Sequence, residues 1–157
     1  MTKEMKQDFT RRITQANKTE LIVILYEMFM QYHLSAKEFM IKEDSPQYQL
    51  EIKRAMNCVD ELIASLNMEY PVAINLFRLY QYVKRELLVA KSGSLEALDH
   101  ASYVIENLHE AYMKIKEEDK SNAIMLNAET VFAGMTYGKN SMNETIGADS
   151  KNRGYLI

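Results

Sequence analysis

Asn75-Leu-Phe-Arg-Leu-Tyr-Gln-Tyr-Val-Lys-Arg-Glu-Leu-Leu-Val-Ala90 decides the fold. Its apolar residues Leu76, Leu79, Tyr80, Val83, Leu87 and Ala90 recur at steps of three and four, which lines them up along one face of a helix. An earlier stretch, Leu21 to Met40, carries the same Leu-Tyr dipeptide at Leu25-Tyr26 within a similar stripe. Helices with aromatic, adaptable faces and no catalytic constellation point to a helical body that binds a partner.

Outward from that stretch, helix boundaries are legible in both directions. Tyr70-Pro71 starts its helix and Lys91 ends it. In Ser92-Gly93-Ser94, Gly93 suits a left-handed helix terminus and Ser94 the next N-cap. The following stripe is Leu95, Leu98, Ala101, Val104, Ile105, Leu108, Tyr112 and Ile115, closing in the charged run Lys116–Lys120. On the other side, Ser45-Pro46 opens a helix with the stripe Tyr48, Ile52, Ala55, Met56, Val59, Leu62, Ile63 and Leu66. Asn17 caps the helix carrying Leu21, Leu25, Met28, Phe29, Tyr32, Ala36, Phe39 and Met40, and Glu20 completes a capping box.

Short connections force neighbouring helices to run antiparallel, so the fold class is all-α: an up-down four-helix bundle over residues 17–120. Residues 1–16, with scattered Met5, Phe9 and Ile13, read either as a mobile arm or as a weak helix. Residues 121–157 form a C-terminal extension with a short fifth helix over 122–133, capped by Gly134, and disorder from Gly138 onward. Four of the five glycines lie in that extension, and the body is almost free of them.

Bulk properties narrow the function. A 157-residue chain is most simply one domain. A net charge of −3 offers no basic surface, so no nucleic acid is expected as a partner. The longest apolar run, Leu21–Tyr26, is too short for a membrane span, and residues 1–20 lack a secretory signal. The expected location is cytosolic. The single Cys58 lies in a helical stripe and reads as a packing residue. Eleven Met and ten Tyr accompany no Trp; Met either fills core gaps or adapts to a large apolar partner.

Catalytic constellations are missing from the pattern. A di-metal bundle needs Glu-x-x-His on two helices, and only Glu106-Asn-Leu-His109 has that spacing, reading instead as an i,i+3 surface pair. No Gly-rich phosphate cradle or nucleophile elbow occurs. The expectation is therefore no enzyme, no cofactor and no metal.

Taken in order, these segments resemble the flagellin export chaperone family, FliS, over about residues 8–115. Ala16-Asn17-Lys18-Thr19-Glu20-Leu21 followed by Leu25-Tyr26 is similar to the family's helix start and Leu-Tyr pair. Leu62-Ile-Ala-Ser-Leu-Asn-Met68 resembles the end of its second helix. The match is strongest at Asn75-Leu76-x-x-Leu79-Tyr80-x-Tyr82 with Arg85-x-Leu87-Leu88-x-Ala90. Tyr112 stands where the family commonly has Trp, and Phe9 is the aromatic nearest to an N-terminal Tyr of relatives.

The resemblance implies a cytoplasmic chaperone that binds the disordered C-terminal segment of flagellin, prevents premature polymerisation and delivers it to the cytoplasmic domain of the flagellar type III export gate. Phe9 and Ile13 would cover part of the client groove in the unbound state. For Leu25, Tyr26, Leu76, Leu79, Tyr80 and Val83, core packing and groove lining are both open. Asn75 would either hydrogen-bond the partner's backbone or cap its helix. Val131-Phe-Ala-Gly-Met-Thr-Tyr137 reads either as an internal placeholder in the client groove or as part of a packed fifth helix. Rival readings are a generic adaptor for another amphipathic partner and a metal-binding bundle enzyme.

Overall fold

In the computed structural model, which describes residues 1–125, every regular element is an α-helix: α1 Lys3–Gln15, α2 Lys18–Ile41, α3 Ser45–Ala64, α4 Pro71–Lys91 and α5 Leu95–Glu118. Local chemistry sets most boundaries. The Asn17 side chain accepts from the Glu20 amide while the Glu20 carboxylate accepts from the Asn17 amide, so the predicted capping box closes. Pro71 opens α4, and Ser94 caps α5 by accepting from the Ala97 amide. Gly93 turns the chain between them at φ 106°, a conformation that needs no Cβ.

The α2–α3 turn makes the same kind of stop without glycine. Glu43 sits at φ 56°, with its amide donating to the Met40 carbonyl and the Asp44 amide to that of Phe39. That pair of bonds is the Schellman arrangement, here carried by a residue for which the left-handed region is strained. Asp44, one position earlier than expected, is the N-cap of α3, accepting from the Gln47 amide.

Helix α2 packs on α3 and α5, and α4 packs on both as well. The Tyr48 hydroxyl at the start of α3 donates to the Ala90 carbonyl at the end of α4 over 2.5 Å, and Lys84 meets Asp60 at 2.6 Å. This closed ring of contacts is compatible with an antiparallel four-helix bundle. One large core fills it, built on Tyr26, Phe29, Ile52, Val59, Leu62, Tyr80, Val83, Leu87, Leu98 and Ile105, all buried.

Residues 3–15 form a helix, as one of the two readings of this segment expected. Thr2 caps α1 by accepting from the Met5 amide. The expected fifth helix and the Val131–Tyr137 cluster lie outside the described residues, apart from a helical start at Ile124 and Met125.

Candidate partner-binding site beneath the N-terminal helix

The run Leu21-Ile-Val-Ile-Leu-Tyr26 is apolar on every side, and the fold uses it twice. Ile22, Val23, Tyr26 and Phe29 face the core shared with α3, α4 and α5. Leu21, Ile24 and Met28, spaced i, i+3 and i+7, lie instead in a second apolar cluster with Phe9, Ile13, Ala16 and Met1. Leu21 and Met28 were expected on the same stripe as Phe29. The structure corrects that for Leu21, which belongs to the second cluster alone, while Met28 touches both clusters at their border.

Helix α1 doubles back along α2 through the extended pair Ala16-Asn17. Its far end is marked by the N-terminal amine, which donates to Ser35 Oγ over 3.3 Å. Nearer the turn, Arg12 pairs with Glu27 of α2 at 2.5 Å, and the Arg12 guanidinium lies 5.5 Å from the centre of the Phe9 ring. Glu27 also meets His109 Nε2 of α5 at 3.3 Å, so one carboxylate ties three helices together. Below this point a cavity of about 290 Å³ opens between the helices, lined by Arg12, Gln15, Glu20, Ile24 and Lys116.

The expected contact residues divide sharply. Phe9 is buried against α2 and Ile13 is half-buried beside it. Tyr26, Leu76, Tyr80 and Val83 are interior, and Leu25 packs half-buried against the core. The first four are therefore out of reach of any partner in this conformation. The Tyr26 and Tyr80 hydroxyls share a hydrogen bond of 2.6 Å, and the Tyr26 ring meets Tyr112 edge-on at 5.6 Å. Burial pushes the Tyr26 and Tyr80 hydroxyls far up, and that of Tyr112 to about 12. All three are neutral packing groups, and the Tyr26 and Tyr80 hydroxyls satisfy each other's polarity.

Leu79 is 40% exposed and Asn75 is exposed on α4, close to the exposed Val72 and Ile74. Asn75 does not cap α4: Tyr70 holds that position, five residues earlier, with no side-chain bond. Glu106 and His109 do not pair either. Glu106 accepts from Ser102 Oγ at 2.7 Å, while His109 turns to Glu27, because each finds a partner nearer than the other.

Burial raises the Cys58 thiol to about 12, which keeps it protonated and unreactive at neutral pH. What the site can do is bury an apolar helix face against α2, with a carboxylate and a cation at its rim. Sequence reasoning missed Ile24 and misassigned Leu21. The signal was the unbroken apolar run itself, which a one-sided helix has no use for.

No helix among the described residues is long and apolar enough to cross a membrane. No curated protein matches the chain. The family model described as flagellar protein FliS matches residues 1–119, which takes in all five helices. That membership is compatible with a flagellar chaperone role without enzymatic activity. With the match extending through α1 as well as the ring of four helices, the chain belongs to the FliS family of flagellar proteins.

Proposed function

We propose that this protein is a non-enzymatic export chaperone for flagellin, built as an antiparallel up-down four-helix bundle with a detachable N-terminal helix. The client is the C-terminal segment of flagellin, disordered as a monomer and amphipathic when helical. It lies helix-in-groove along the Leu21–Ile24–Met28 face of α2 once α1 has moved off. The observation that carries this reading is the second apolar cluster, separate from the core and made between α1 and α2. A spacing of i, i+3 and i+7 is what one helix offers another, and Phe9 stands where a client side chain would go.

Leu79 and Asn75, reachable on α4, extend the contact for a client that wraps further around the bundle. Tyr26, Leu76, Tyr80 and Val83 act from inside, keeping the face of α2 stiff. A disordered client loses entropy as it folds on this surface, which holds its affinity at a releasable level despite a large contact area. Covering the segment in the cytoplasm prevents premature polymerisation. Delivery then follows at the cytoplasmic domain of the export gate, as family membership supports.

The test is calorimetric titration with the C-terminal segment of flagellin, followed by hydrogen exchange of the complex. Binding should release heat, raise helix content and strip protection from α1. A flat titration, or binding with α1 protection unchanged, would refute the α2 site. Equal affinity for a scrambled amphipathic helix would favour a generic adaptor.

A further inference from the structure

Just after α5, residues 119–124 cross the hinge between α1 and α2. The Thr19 hydroxyl donates to Asp119 Oδ2 over 2.6 Å. The Asn17 side-chain amide donates to the Ser121 carbonyl over 3.3 Å. The Ile124 amide donates to the Ala16 carbonyl over 3.0 Å. Three bonds thus reach three of four consecutive residues, 16–19, from a segment about a hundred positions away.

We infer that Asp119–Ile124 is a strap that latches the α1–α2 hinge and so sets how readily α1 lifts from α2. Ala16 and Asn17 are the extended residues through which α1 would swing, and both are buried. Swinging rotates the Ala16 carbonyl, which breaks its bond to Ile124. Asn17 serves both structures through opposite ends of one amide: Oδ1 caps α2 while Nδ2 holds the strap. The strap has its own internal brace, since Asp119 Oδ1 accepts from both the amide and the hydroxyl of Ser121. These bonds hold the Asp119 carboxyl below its usual range, with Ser121 the first contributor and Thr19 the second. The family match ends at residue 119, where the strap begins. Its value to a client rests on the function proposed above, but the latch itself is testable without one.

The experiment is native-state hydrogen exchange on the full chain, comparing wild type with Asn17→Asp/Thr19→Val and with Asp119→Ala. Aspartate caps a helix as well as asparagine but has no amide to donate, so α2 keeps its start and loses the strap. Asp119→Ala reaches the same end without touching α2. The expected result in both variants is roughly tenfold faster exchange across α1, with α3 and α4 unchanged. Unchanged α1 exchange in both would overturn the latch, and so would an equal rise in every helix, which would make the strap a general stabiliser. The flagellin C-terminal segment is then added to each protein. Faster association with the variants supports the coupling of latch and client. No binding to any of them, with α1 exchange still raised, leaves the latch standing and refutes the client site.

Discussion

Helix α2 buries two faces, and they are held in different ways. The inner face packs Tyr26 and Phe29 at 0% exposure against three helices of 20 to 24 residues. The outer face meets only α1, a 13-residue helix too short to be stable alone in water. Its cover consists of a small apolar cluster, the Arg12–Glu27 pair, and the strap at the hinge. The inner contact is shared among four helices, and on the proposed function the outer one opens by itself.

The largest effect should come from the inner face. Phe29→Ala removes a fully buried ring and should cost about 3–5 kcal/mol in urea unfolding, lowering fluorescence and circular dichroism midpoints together. Phe9→Ala deletes a ring of the same type beneath α1. Its cost is limited by what α1 docking contributes, so global stability should change by less than about 1 kcal/mol while α1 amides alone lose protection. Equal costs for the two changes would break the distinction between the faces.

Within the inner face, Tyr26→Phe leaves the Tyr80 hydroxyl buried without its partner and should cost about 1–3 kcal/mol. Tyr26→Phe/Tyr80→Phe should cost less than the sum of the single changes, as measured by a double-mutant cycle. Strict additivity would mean that the hydroxyl pair contributes nothing to the interior.

The smallest effect is one of pH. His33 on α2, buried and 3.1 Å from Asp99, has its pKa lowered from 6.5, chiefly by burial, against the pull of Asp99. The unfolded chain therefore takes up this proton at a higher pH than the folded one does. Stability from His33 is complete above 6.5 and is lost as pH falls from there toward the folded value. The melting temperature should decline between about pH 7 and pH 5, and His33→Gln should flatten that slope. Asp99, held below the usual carboxylate range by Lys37 and then His33, adds a loss of the same sign at lower pH.

Much of this was legible beforehand wherever the cause is local. The capping box at Asn17–Glu20, the proline start at Pro71 and the glycine turn at Gly93 are each contained within a few residues, and each stands as read. The turn at Glu43 was not legible as a left-handed stop, because glutamate carries no preference for that conformation. Among the expected contact residues, Phe9 and Ile13 pack against α2, while the Leu-Tyr pairs gave no sign of which way they would point. A stripe shows that a residue faces something; it does not say whether that is the core, a detachable helix or a client.

The amino-acid order alone determined that the chain would be helical, and where α2, α4 and α5 would begin, because periodicity and capping act within one or two turns. Only the tertiary structure decided that Leu21–Tyr26 would be buried from two sides, that Tyr26 would meet Tyr80, and that residues 119–124 would return to the hinge at Ala16. The tyrosine pair joins residues 54 positions apart and the strap bond at Asn17 residues 104 apart, and what sets them is the mutual burial of whole helices.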